Sequence, residues 1–293
     1  MTSRHAVFHA GDAVLAPTDG AAGYRRWTPI GESNAVHTGF GLCELNPGSA
    51  VGAHVHSFEE SVYVLGGAVI VETEESATTL GPGDYGLLPV GTPHGLRNDG
   101  AVAARWAEML APQPRARTNG DTFALPPLTF RTATPIDVRD PRNRLFGHVD
   151  PANLDAAKQT QDLLAVSASM RTALLVYSGI SVKLMVDSDL GAQLSTMFMV
   201  QYEPNGVAGP HDHPFEEVYL FLEGTAEATF DDERYELGPG DLAFAGVGCV
   251  HSFRNLAGGP LRWLETQAPM PPRRHSYRFA RDWDYLRRNL EGS

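Results

Sequence analysis

Cysteine is scarce: Cys43 and Cys249 are the only two in 293 residues. They stand at non-equivalent places in the two halves and form no CxxC or zinc-knuckle spacing, so both read as ordinary thiols. No window holds the roughly 18 apolar residues of a membrane span, and the opening MTSRHAVFHAGDAVLAP lacks the basic patch and apolar stretch of a secretory signal. The expectation is a cytoplasmic protein without a membrane partner. A basic stripe is also lacking. The net charge is −12, the pI is near 5.3, the arginines are scattered and no helix-turn-helix segment is appended, which argues against a nucleic-acid partner. Helical periodicity is rare. It is convincing only in RFARDWDYLRRNLEG, where Phe279, Trp283, Leu286 and Leu290 recur at three- and four-residue steps.

What the sequence does have is a repeat. An offset of 157 residues carries His54 to His211, His56 to His213, Glu60 to Glu217, Gly67 to Gly224, Asp84 to Asp241, His94 to His251 and Asn98 to Asn255 without a gap. The match runs on through RWAEMLAPQP and RWLETQAPMP. The chain is therefore a duplicated domain, and its 42% hydrophobic residues suffice for two cores. Prolines 126, 127, 135, 141 and 151 punctuate the join. We expect an N-terminal domain over 1–115, a linker over 116–165 in which NLDAAKQTQDLL could form a short helix, and a C-terminal domain over 166–293.

Each copy reads as β. Segments such as SVYVLGGAVIVETE and VYLFLEGTAEATFDD are rich in β-branched and aromatic residues and are separated by close-set turns, a spacing that suggests sandwiches or barrels. Side chains alternate along a strand, so His54, His56 and Glu60 share a parity that Glu59 does not. The second copy repeats this with His211, His213 and Glu217, leaving Glu216 out. Glu59 and Glu216 are accordingly expected in solvent. His94 and His251 each follow a Gly-rich turn into a further strand. Three imidazoles and one carboxylate suit a divalent first-row ion with positions left for water or substrate. A buried histidine is often only a hydrogen-bonded core residue, but the joint recurrence at one spacing favours a metal in each copy.

These residues carry a resemblance. GSAVGAHVHSFEESVYVLGG with GDYGLLPVGTPHGLRN, and HDHPFEEVYLFLEG with GDLAFAGVGCVHSFRN, resemble the paired motifs of the cupin family over roughly 40–112 and 197–269. The resemblance implies an all-β chain of two tandem jelly-roll barrels, each a double-stranded β-helix, with the short linker helix and the C-terminal helix outside them. It implies one metal per barrel, held by His54, His56, Glu60 and His94 in the first and by His211, His213, Glu217 and His251 in the second. Fe(II) or Mn(II) leads, with Ni, Co, Cu or Zn open. Asn205 stands where copy one has Gly48, and asparagine tolerates the positive φ such a turn needs. Gly246 replaces Pro89.

Side chains beyond the motifs set the expected function. Val62, Val64 and Leu96 make the first pocket plain and aliphatic, whereas Tyr219, Phe221 and Phe253 give the second aromatic walls and a phenol. Tyr219 is the candidate catalytic residue, a hydrogen-bond or proton donor to substrate, and the second site is expected to do the chemistry. The duplicated Trp106 and Trp263 read as core, and Arg97 and Arg254 face away from the ligands toward ion pairs. The leading expectation is a dioxygenase acting on a small anionic or phenolic compound. Alternatives are a non-redox decarboxylase, isomerase or hydrolase, and a ligand-binding bicupin with a structural metal. Assembly into a homo-oligomer through β-faces, with His148 or the C-terminal helix at the contact, is left open.

Overall fold

The structure, a computed structural model, describes residues 4–18, 20–137, 139–155, 172–175 and 178–270. The expected linker helix from residue 156 onward and the expected C-terminal helix lie outside the described residues. Everything else of length is strand. In the first half, a seven-stranded sheet faces a six-stranded one; in the second, a seven-stranded sheet faces a four-stranded one. Each half is a jelly-roll barrel, as the resemblance implies.

Alternation along the strands builds three cores rather than two. Inward positions of the first barrel, including Val62, Val64, Leu80, Leu96 and Trp106, form one cluster. Phe221, Phe230, Phe253 and Trp263 anchor its counterpart in the second. The opposite faces of the two seven-stranded sheets then pack on each other, Phe40, Leu87 and Met109 meeting Met197, Val218 and Leu264. That is why Glu216–Glu223 is buried on both faces. Trp106 and Trp263, each 1% exposed, are core residues.

The barrels also exchange arms. His5–Phe8 pairs with Leu242–Ala245 of the second barrel, and Phe146–His148, ahead of that barrel in the chain, pairs with Asp84–Leu88 of the first.

Glu59 and Glu216 correct the expectation that they are solvated. Each is 2% exposed, at the seam between barrels. Glu59 accepts N–H bonds from Gln193 (2.7 Å), Leu194 (2.9 Å) and Ser195 (3.2 Å). Glu216 accepts from Val36 (2.7 Å), His37 (2.9 Å) and Thr38 (2.9 Å). The donor loops are themselves related by the 157-residue offset, so the seam is a reciprocal clasp. A carboxylate left without its donors in such a place costs several kcal/mol, roughly 1–3 kcal/mol for each charged hydrogen bond. Strand alternation does turn these side chains away from the ligands, and the other barrel covers the face they turn to.

Candidate metal centres

Two strands, not one, carry the first motif. His54 and His56 end Ala50–His56, a turn passes through Ser57 and Phe58, and Glu60 lies on Glu59–Gly66 in the facing sheet. The single-strand parity used above is thus corrected: Glu60 faces the histidines because the turn folds its strand over theirs. His94 opens His94–Arg97, directly opposite His54 in register. In the second barrel His211 ends Val207–His211, His213 lies just past it, Glu217 sits on Glu216–Glu223, and His251 pairs with His211.

All six imidazoles are oriented the same way. Nδ1 of His54, His56 and His94 lies 2.8 Å from the carbonyls of Gly52, Phe58 and Thr92. Nδ1 of His211, His213 and His251 lies 2.8, 2.8 and 3.1 Å from those of Gly209, Phe215 and Cys249. A carbonyl can only accept, so each Nδ1 carries a proton, and each ring in its neutral form turns the Nε2 lone pair inward. The ligand atoms of each histidine trio lie within 4.8 Å of one another. Glu60 Oε2 is 3.1 Å from His56 Nε2 and 3.6 Å from His94 Nε2, the latter without a hydrogen-bond partner. Glu217 Oε2 is 2.6 Å from His213 Nε2 and 3.4 Å from His251 Nε2. Lone pairs pressed together in a dry interior repel unless a cation lies among them, so both donor sets fit a divalent ion, with four protein donors each.

The electrostatics agree. Burial pushes Glu60 up, but His56 and His94 overcome it and hold the carboxyl far below its ordinary range. Glu217 behaves likewise beside His213 and His251. Burial lowers His54, and neighbouring His94 adds to it. His211 is lowered to about 3 by burial and by His251. Against burial, Glu60 raises His94 and Glu217 raises His213.

The surroundings differ. Tyr219, 1% exposed, donates its hydroxyl to Glu217 and lies 3.0 Å from His251 Nε2. Gln267 Nε2 donates to Glu217 Oε1 at 2.6 Å, so both oxygens of that carboxylate are held. Glu60 has no such neighbours, since Val62 and Leu110 occupy the matching positions. The first pocket is nevertheless not plain and aliphatic as expected. Arg26 pairs with Glu108 inside the barrel, and Tyr24 Oη lies 3.2 Å from Cys43 Sγ. Gly41 makes room: a Cβ there would meet Glu108 Oε1 at 3.3 Å and Arg26 Nε at 3.4 Å. The sequence reading missed Arg26 and Glu108 because they lie on strands outside the motifs. Their signal is the offset itself, which pairs them with Lys183 and Glu265 in otherwise apolar runs.

Other candidates resolve as structure. Arg97 pairs with Glu72 (2.9 Å) and Asp99. Cys43 and Cys249 are free and buried. Cys249 also lies near His5 and Asp231, a third group of potential donors, but Arg4 already binds Asp231 at 2.8 Å and anchors the N-terminal arm there. The motif asparagines brace loops, Asn98 donating to Leu45 O (2.8 Å) and Asn255 to Gly259 O (2.9 Å). Asn205 takes φ 64° where Gly48 takes 71°, so the turn survives the substitution. No helix among the described residues is long and apolar enough to cross a membrane.

The family described as "Cupin domain" matches residues 41–110 and 198–266. Lactobacillus farciminis oxalate decarboxylase superposes with a TM-score of 0.61 at 17% identity, over 98% of this chain and 90% of that one. Salicylate 1,2-dioxygenase from Pseudoaminobacter salicylatoxidans gives 0.65 at 14%, over 91% and 81%. A Pseudomonas aeruginosa protein described as a putative glyoxylate-induced protein gives 0.63 at 16%, over 94% and 93%. At these identities the likeness is one of fold. None of the curated sequences compared matches.

Proposed function

This chain is a bicupin, carrying the cupin domain twice, and from that premise we propose that it is a metal-dependent enzyme acting on a small anionic organic compound, with dioxygenation as the leading reaction. The observation that carries the reading is the common orientation of six imidazoles, each Nδ1 tied to a carbonyl, with Nε2 of His56 and His94 beside Glu60 and Nε2 of His213 and His251 beside Glu217. Outer partners of this kind fix the tautomer a metal ligand needs. His54, His56, Glu60 and His94 would hold one ion, and His211, His213, Glu217 and His251 a second. Fe(II) or Mn(II) there would leave positions where substrate and O₂ meet and would polarise a substrate oxygen.

The first barrel is proposed as the substrate chamber, in place of the second. Gly41, Val62, Val64 and Leu96 stand where the second barrel has Phe198, Tyr219, Phe221 and Phe253, all buried. His54 is half-buried, whereas His211 is 8% exposed. Arg26, 28% exposed and on an inward strand position, supplies the cation for a carboxylate or phenolate. Tyr219 is proposed to act at the second centre, where its proton is held by Glu217. There it keeps that centre dry and closed.

Decarboxylation is the second reading. Glu108 favours it: burial raises this carboxyl above its ordinary value, although Arg26 opposes, so it can keep a proton to return to the carbon that loses CO₂. Oxygen consumption and CO₂ release, measured over phenols, diketones and small carboxylates, test both. Oxygen uptake supports dioxygenation, and CO₂ without oxygen uptake supports decarboxylation. In either case Arg26→Gln should raise KM about tenfold or more. An unchanged KM refutes Arg26 as the anion's partner.

A further inference from the structure

We infer that Glu217 is oriented from the opposite barrel, through a relay in which Gln267 is the positioning residue and Glu59 its distant anchor. The inference rests on the reading of Glu217 as a metal-holding carboxylate. Each link is a short contact. Glu59 accepts from Ser195, backbone N–H at 3.2 Å and hydroxyl at 3.3 Å. The next residue, Thr196, donates its hydroxyl to Gln267 Oε1 at 3.1 Å. Gln267 then donates Nε2–H to Glu217 Oε1 at 2.6 Å. Because a carboxylate accepts only, the amide orientation of Gln267 is fixed, and its oxygen is left facing Thr196.

The other end of the relay is equally direct. Glu59 precedes Glu60 on one strand, and alternation sends one side chain to the seam and the other to the first centre. A single strand therefore carries a donor of the first centre and the anchor for a donor of the second. All members are buried or partly buried, in surroundings where such bonds are not replaced by water.

The path runs one way. Glu216 makes the matching bonds to the loop of the first barrel, but that loop leads to Gly39 and faces Leu110, where the second barrel has Thr196 and Gln267. Neither can hydrogen-bond through its side chain. Glu60 thus has no counterpart of the Gln267 bond and keeps more freedom than Glu217, whose two oxygens are taken by Tyr219 and Gln267. Loss of partners that orient a metal-binding carboxylate typically weakens metal affinity 10–100-fold.

The test uses the full chain with the first centre silenced by His54→Ala and His94→Ala, and cobalt(II) alone as the probe. Affinity is measured by competition with a chromophoric chelator, and the cobalt visible spectrum reports the ligand geometry. This parent should bind one cobalt; if it binds none, the reading of the second centre itself fails. Given that binding, Gln267→Leu should weaken cobalt about tenfold or more and alter the spectrum. Glu59→Gln, made in the other barrel, should weaken it roughly threefold to tenfold. The combined variant should bind no more weakly than Gln267→Leu alone, because both changes cut one path. A role confined to holding the barrels together would lower the thermal midpoint yet leave cobalt affinity in the folded protein unchanged. Should Gln267→Leu fail to fold by circular dichroism, Thr196→Val takes its place in the cycle. Cobalt affinity unchanged in the Gln267 or Thr196 variant overturns the relay. A Glu59→Gln effect that adds in full to theirs overturns its passage across the seam.

Discussion

At four matching interior positions the first barrel carries Gly41, Val62, Val64 and Leu96, and the second carries Phe198, Tyr219, Phe221 and Phe253. The donor sets are the same; the space and polarity around them are not. One barrel keeps small side chains, an internal Arg26–Glu108 pair and a half-buried histidine at its mouth. The other packs rings around its centre and holds Glu217 by both oxygens. On the proposed reading, a duplicated donor set keeps one geometry while its surroundings divide the work: one copy takes the guest, and the other has its carboxylate held by Tyr219 and Gln267.

The largest effect that would break this comparison comes from removing one donor in each barrel. His56→Ala should lower turnover by about a thousandfold, the loss expected when several kcal/mol of metal-borne stabilisation go. His213→Ala should leave turnover within a few-fold at temperatures where the protein stays folded. Steady-state rates of the two variants, alongside their metal content, check this. Equal losses would mean that the centres work together or that the second is the reactive one.

A smaller effect comes from making the first barrel resemble the second. Gly41→Phe should displace the Arg26–Glu108 pair, since even a Cβ at that position lies 2.9 Å from the Trp27 carbonyl. We expect destabilisation of about 1–3 kcal/mol from overpacking, read by denaturant unfolding, with loss of substrate binding. Normal substrate affinity in a folded Gly41→Phe protein would place the guest elsewhere.

The smallest effect concerns pH. His211, lowered to about 3, stays neutral in the fold well below the ordinary imidazole value of about 6.5. Between those values the unfolded chain binds the extra proton, so the metal-free protein loses stability as pH falls through that window. His54 is lowered for the same reasons but is less buried. His94 and His213 are raised and act in the opposite sense, their contribution being full below about 6.5 and lost as pH rises through their folded values. They are present in both variants and cancel. His211→Asn should therefore flatten the acid-side fall of the thermal midpoint more than His54→Asn does. The reverse ranking would contradict the assignment of the second centre as the more closed one.

Much of this was legible in the sequence, and the rest has identifiable physical reasons for being hidden. The 157-residue offset and the paired motifs point to the duplication, the barrel class and the eight donors, because turn chemistry and ligand spacing are local. Asn205 was readable for the same reason: its turn needs only a positive φ. Glu59 and Glu216 were misread because parity tells which way a side chain points and not what lies there. Arg26 and Glu108 escaped notice since they meet only after Tyr24–Ile30, Gly39–Leu45 and Ala104–Ala111 pair into one sheet. The ranking of the two pockets proposed above differs from the expected one for a related reason: the Tyr219 hydroxyl, read from the sequence as a group for substrate, is directed at Glu217 in the folded chain.

Only the first centre is proposed to have room for a guest, and binding of nitric oxide, a small stand-in for O₂, distinguishes it from the second. Two full-length proteins would be loaded with Fe(II), one silenced at the second centre by His211→Ala and His251→Ala, the other at the first by His54→Ala and His94→Ala. Electron paramagnetic resonance after nitric oxide addition should show an iron-nitrosyl signal in the protein that keeps the first centre. The protein that keeps the second should hold iron and give none. A nitrosyl signal of equal strength from the second centre, or its absence from the first, would contradict the account.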